Sequence, residues 1–423
     1  MLLLLLLISS GCDVNIPGCG KRSLPFFKAV TPPPPPPPPP AASNPVTQLV
    51  TTATAPSPVS ISTNVKNPPK TPVTDTSIEM SITKPNATPT FTATSTATPA
   101  EVEKIAYTTF EKGKPTLWTM NTDGSSRTRL TAPGTSTYYP LWSPNGKILA
   151  FLSDMNEGKL NLFILKKGEK DIQQLTFYPD MTIPNPSGLK PPFSWSPKSD
   201  ELVYAYHQQV WKVELANLSQ VTLASLNSAY SIPLLAWAPH RDNKYVAVLV
   251  KKGINFFGLI LVNPRLNDEL NLVDSPKPIT DIAWTPDARQ VAYIWNNYAI
   301  YTASADASIP KLMILNASPQ LGPMITYKPI EEAVPTLMVL AKQTDADSGY
   351  RVALVDKASK DEKDSGILKY LTQPGVTDAI WSPDGNKIAY VQAGELWIMD
   401  GLTGSNKVRI AATGILSPDW SKK

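Results

Sequence analysis

Cysteine is almost missing from this chain of 423 residues; the two present, Cys12 and Cys19, both fall within the first twenty positions. Everything beyond them lacks a thiol, so neither disulfides nor cysteine-ligated metals hold the body together. Histidine is as scarce. The chain has 2, His207 and His240, which excludes a histidine-rich metal centre or a multi-histidine active site. An excess of charge is missing too. Of 39 basic and 35 acidic residues, six basic (Lys21, Arg22, Lys28, Lys66, Lys70, Lys84) and three acidic (Asp13, Asp75, Glu79) lie in 1–100, leaving a net charge of +1 on the rest. Such a near-neutral body has no bulk field for a phosphate backbone, so nucleic acid is not an expected partner. No G-x-S-x-G nucleophile elbow occurs, which removes the α/β-hydrolase route to peptidase chemistry. The S-x-D-x-G-x-T-W box of sialidase-type propellers is also absent. The expectation is a chain with no catalytic residues, no cofactor and no metal.

Long apolar runs are limited to residues 2–8 of the opening MLLLLLLISSGC. That run is too short to cross a bilayer as a mature helix and suits the h-region of a secretory signal. Small residues Ser9, Ser10 and Gly11 then lead into Cys12. This resembles the lipobox of bacterial lipoproteins, with Ser9 where that motif usually carries leucine. The resemblance implies residues 1–12 as signal peptide and Cys12 as lipid anchor. The alternative is an ordinary secretory signal with both cysteines free or paired.

Residues 13–100 read as a linker. Pro32 to Pro40 are consecutive prolines, a left-handed rod of about 28 Å at ~3.1 Å per residue. The Thr, Ser, Ala and Pro of 41–100 have too little to bury and are expected to stay disordered. A flexible spacer over 31–100 averages about 50 Å end to end, enough to hold a body away from a membrane or wall.

From 101 onward a repeat takes over. Trp142-Ser-Pro-Asn-Gly, Trp195-Ser-Pro, Trp237-Ala-Pro, Trp284-Thr-Pro-Asp and Trp381-Ser-Pro-Asp-Gly are copies of one mark; Tyr327-Lys-Pro is degenerate and Trp420-Ser is short. The anchors recur every roughly 40 to 55 residues, the length of a four-stranded propeller blade. Short apolar strands follow each copy, such as Leu149-Ala150-Phe151 and Ile388-Ala389-Tyr390, then Leu396-Trp397-Ile398-Met399, then Leu-Thr or Val-Thr pairs at 130, 175, 221 and 371. Alternating apolar residues with turns every 8 to 12 residues predict an all-β fold. The indole fills the wedge between sheets. Ser or Thr starts the turn, Pro presets its first corner, and Asp-Gly or Asn-Gly supplies the positive-φ corner. Trp142, Trp195, Trp237, Trp284, Tyr327, Trp381 and Trp420 thus count seven blades, or six if 285–335 forms none of its own. The strand before Trp420 and the orphan strand at Ile105 are expected to share a blade and close the ring.

The pattern W-S-P-D-G, I-A-Y, L-W-x-M, L-T resembles the repeats of TolB-like propellers, and related repeats occur in the propellers of prolyl-oligopeptidase-type peptidases. The likeness covers 101–423 and implies an extracytoplasmic binding propeller. Its marked residues build blades, so a binding face must lie in unmarked loops. The loops leading into the inner strands carry Tyr138, Tyr139, Tyr178 and Tyr230, aromatics suited to protein or glycan contacts. They are the candidate face, or else only plug the ring's mouth. The longest such loop is 177–193. His207, His240, the stretch Thr344 to Gly349 and the charged run Asp356 to Asp364 read as solvated turns and loops. The expected whole is a monomeric scaffold, tethered only by its lipid, that binds an envelope protein or polysaccharide. The alternative is a glycan-active enzyme in the ring's funnel, which requires at least two carboxylates, or a carboxylate with Arg, facing that funnel.

Overall fold

The computed structural model describes residues 102–179, 181, 190–240, 245–253, 255–266, 268–307, 312–317, 320–357, 366–411 and 414–423. All fall in one unit, Pro85–Lys423; the other unit, Met1–Lys84, contains none of them. Cys12, the linker 13–100, most of the 177–193 loop and the charged run from 358 on lie outside the described residues.

Every regular element among the described residues is a strand, and the strands form seven four-stranded antiparallel sheets in a ring. Blade 1 spans 104–129, blade 2 137–174, blade 3 193–225, blade 4 230–275, blade 5 279–316, blade 6 321–370 and blade 7 376–411. Blade 1 takes its innermost strand, Ile415–Trp420, from the far end of the chain, beside Lys104–Glu111. Seven blades and their closure therefore stand as the repeat implied. The degenerate Tyr327 copy does anchor its own blade, through strand Leu321–Tyr327. No helix among the described residues is long and apolar enough to cross a membrane.

The core is distributed. Seven apolar clusters each fill the gap between two successive blades. The anchors occupy these gaps. Trp195 Nε1 donates to Leu141 O of blade 2 at 3.0 Å, and Trp284 Nε1 to Ala236 O of blade 4 at 2.9 Å. A buried indole N–H needs such an acceptor. The Trp142 and Trp381 indole nitrogens are buried without one.

The turn after each anchor follows its chemistry. Ser382 Oγ accepts from Lys387 N at 2.8 Å and donates to Asp384 Oδ1 at 2.6 Å, while Gly385 takes φ 68°. At Gly146 (φ 71°) an added Cβ would lie 2.5 Å from Lys422 O, so the C-terminal segment rests on this glycine. Thr131, Thr176 and Thr372 of the Leu-Thr pairs are buried just past the outermost strands. Their hydroxyls accept the N–H of Leu117, Leu162 and Val352 at 3.0, 2.9 and 3.0 Å. Val221-Thr222 is no such pair. It lies inside the strand Gln220–Ser225, where Thr222 opposes Trp211.

Candidate functional site

The innermost strand of each blade has one edge with no ladder partner, and its N–H groups need other acceptors. Side chains from the preceding blade supply several. Ser194 Oγ accepts from Trp237 N at 3.0 Å. Asp419 Oδ2 accepts from Trp142 N, joining blades 1 and 2. Asp281 Oδ2 accepts from Ile325 N at 2.8 Å, joining blades 5 and 6.

Lys190 completes this inner layer. It sits just before blade 3, yet its Nζ reaches blades 5 and 6. It lies 2.9 Å from Asp281 Oδ2 and donates to Ile282 O at 2.5 Å and Ile325 O at 2.8 Å. Three acceptors thus meet the three donors of one ammonium. Asp378 of blade 7 stands at the same place in the repeat as Asp281, three residues before its anchor Trp. Its Oδ1 accepts from Ala379 N at 2.8 Å, as Asp281 Oδ1 does from Ile282 N at 2.8 Å. Asp378 Oδ2 accepts no hydrogen bond from the described residues.

Burial governs these carboxyls. It pushes Asp378 up to about 8, against the pull of the Ala379 N–H, and the charge of Asp419 raises it further. Asp419 is pushed up to about 7 by burial, opposed by the N–H groups of Trp142 and Trp420. Asp281 is raised by burial, with the Lys190 ammonium and the Ile325 N–H pulling the other way. The inner layer therefore holds two carboxyls, Asp378 and Asp419, that titrate near neutrality, beside the Lys190 ammonium.

The tyrosines of the expected face are placed differently. Tyr139 and Tyr178 are each only 6% exposed and belong to the cluster between blades 2 and 3. Tyr178 stacks on Tyr206 with ring centroids 3.7 Å apart, and its hydroxyl lies 2.9 Å from that of Tyr204. Neither ring is presented outward, because packing between blades takes both. Tyr138 and Tyr230 are half-buried, with Lys252 Nζ 5.6 Å from the Tyr230 centroid. Phe177, beside Tyr178, is the exposed aromatic of that segment, at 55%.

His207 is exposed at a positive-φ turn against Tyr206. His240 Nε2 lies 3.9 Å from Glu331 Oε1. Asp347 is committed to Arg351, with both oxygens at 3.0 Å from its guanidinium, so the Thr344 to Gly349 stretch is an ion-paired loop. No group of three or more His, Cys, Asp or Glu among the described residues is arranged to hold a metal.

Nothing in the sequence flags Lys190. It lies in a proline-rich loop, 92 and 135 residues from the carbonyls it meets. The three aspartates were legible only as their strands' polar residues near an anchor.

The fold is that of a seven-bladed β-propeller. Among solved structures, an oligogalacturonate lyase in complex with manganese is similar at 13% identity and a TM-score of 0.54, covering 73% of this chain and 84% of that one. A protein from Lactobacillus plantarum is similar at 12% identity and TM-score 0.51, over 76% and 99%. TolB from Acinetobacter baumannii is 14% identical with TM-score 0.48, over 76% and 67%. At these identities the likeness is one of fold. No protein-family model matches the chain, and no curated protein sequence matches it.

Proposed function

We propose that this chain is a non-catalytic extracytoplasmic binding propeller. In this reading Cys12 carries a lipid anchor, residues 13–100 act as spacer, and the propeller binds a protein or polysaccharide of the cell envelope as a monomer. The supporting observation is how the inner polar groups are used. Asp281 and Asp419 each accept a backbone N–H of the next blade, and Lys190 spends all three donors on blades 5 and 6. Groups so occupied brace strands. The test immobilises residues 102–423 and passes envelope polysaccharides and solubilised envelope proteins over them. Saturable binding supports the reading, and its absence with every fraction counts against it. Mass spectrometry of the mature N-terminus tests the anchor: a lipid-modified Cys12 is expected, and cleavage elsewhere removes that part.

One observation favours a second reading, a glycan-active enzyme. Asp378 and Asp419 are two carboxyls of the inner layer with raised pKa, close enough that one charge acts on the other. A carboxyl protonated at neutral pH is what a general acid in glycoside cleavage needs. Both Asp378 and Asp419 are more than nine-tenths buried, whereas the enzyme reading requires carboxylates that face the funnel. It is distinguished by polymer cleavage that disappears in Asp378→Asn.

A further inference from the structure

We propose that Asp378 receives a primary alkylammonium group from a ligand, in the way that Asp281 receives Lys190. This names a ligand chemistry for the ring's inner layer and rests on the binding reading above.

The template is internal to the molecule. In blade 5 an ammonium is held by the carboxylate three residues before the anchor, by the carbonyl of the next residue, and by the carbonyl two residues before the anchor of blade 6. Blade 7 repeats the first two parts in the same register. Ala379 opposes Tyr390 as Ile282 opposes Tyr293, and both aspartates are capped by the following N–H. The anchors of the other five blades have Ser417, Tyr139, Pro192, Leu234 and Met324 at the aspartate's place. Blades 5 and 7 alone thus carry the carboxylate.

The difference lies in the next blade. Ile325 N donates to Asp281 Oδ2. The residue two before the anchor of blade 1 is Pro418, which has no N–H to give. Asp378 Oδ2 therefore lacks both donors that Asp281 Oδ2 enjoys, although Asp378 is only 9% exposed. Among the described residues Asp378 Oδ2 has fewer donors than Asp281 Oδ2, so an ionised Asp378 is less well satisfied by the protein. An incoming ammonium supplies donors and charge together. A primary amine on a slender alkyl stem is the class that fits, because the template's occupant is a lysine side chain.

The charges that act on Asp378 come from Asp419 on strand Ile415–Trp420, from Lys190, and from Asp281 on strand Ile279–Trp284. Below its raised pKa the carboxyl is neutral. Binding a cation then drives its proton to water while the ligand keeps its own three. Affinity should rise with pH up to the point where Asp378 is ionised unaided.

The test is a calorimetric titration of the full chain with pentylamine at pH 6.0 and pH 8.5, where the amine stays protonated. One equivalent is expected, bound about tenfold or more tighter at the higher pH, with no heat from 1-pentanol. Asp378→Asn should weaken binding about tenfold or more at pH 8.5. Lys190→Met should take a second equivalent, and pentylamine should raise its melting temperature more than that of the wild type. An Nα-acetyl-lysine amide probes the other source: if it binds as pentylamine does, the ligand includes lysine side chains of proteins; if only pentylamine binds, it is a small amine. Equal binding by wild type and Asp378→Asn, or no binding by the wild type, overturns the proposal. Either failure, with envelope binding intact, leaves the broader reading standing.

Discussion

The Lys190 ammonium lies 2.9 Å from Asp281 Oδ2, and this pair joins the segment before blade 3 to blades on the other side of the ring. Ring closure by the terminal strands fastens blade 7 to blade 1. Lys190 adds a tie across the middle, made of one charge pair and two carbonyl bonds. Replacing it by methionine keeps the stem's bulk and strands a buried carboxylate. Breaking a buried pair in this way costs about 3 kcal/mol. Chemical denaturation should show that loss. Asp281→Asn in the Lys190→Met background should recover part of it, since the two residues act as one unit.

Asp378 and Asp419 make stability depend on pH in an unusual direction. Their folded pKa values, about 8 and about 7, lie above the ordinary carboxylate value. The native state therefore holds protons that the unfolded chain has released, and stability falls as pH rises. The contribution is full below about pH 4, where unfolded carboxyls are protonated, and is lost progressively up to the folded pKa values. Thermal melts should show a lower melting temperature at pH 8.5 than at pH 5.5. Asp378→Asn should flatten that slope; an unchanged slope would contradict the burial of this carboxyl.

Two anchors that look alike in sequence should respond differently to loss of the indole N–H. Trp195 donates to Leu141 O, whereas the Trp381 nitrogen is buried without a partner. Trp195→Phe removes a hydrogen bond and orphans a carbonyl, and Trp381→Phe removes an unsatisfied donor. The first should lose about 1 kcal/mol more than the second, measured by paired denaturant titrations.

Gly146 ties the first W-S-P-N-G turn to the chain's last residues. Gly146→Ala places a Cβ 2.5 Å from Lys422 O on a backbone with φ 71°. A loss of about 2 kcal/mol is expected from the strain and the displaced C-terminal segment. Removing residues 415–423 goes further, because blade 1 loses its innermost strand. Calorimetry of that truncation should show a broadened, less cooperative unfolding transition.

Much of the architecture was legible because each blade repeats the same local chemistry. Trp, Ser or Thr, Pro and a positive-φ corner are needed at every inner turn, so the mark at Trp142 reappears at Trp381. Trp420 and Ile105 disclosed the closure because each begins or ends an incomplete unit. Tyr139 and Tyr178 read as loop tyrosines in the sequence, whereas Tyr139 lies in the strand Thr137–Trp142 and both rings pack in the cluster between blades 2 and 3. Lys190 was hidden for a related reason: its partners belong to blades two and three units away, and no spacing in the chain records a contact across a ring. The donor missing from Asp378 was hidden too, since Pro418 reads as another turn proline until it is aligned with Ile325.

The reading of the propeller as a binding module is tested most directly by measuring binding and reducing-end release in one sample of residues 102–423 with envelope polysaccharides and polygalacturonate. Saturable binding of an envelope component is expected, with every polymer left intact. Release of new reducing ends by the wild type, abolished in Asp378→Asn, would contradict it and assign the inner carboxylates to catalysis.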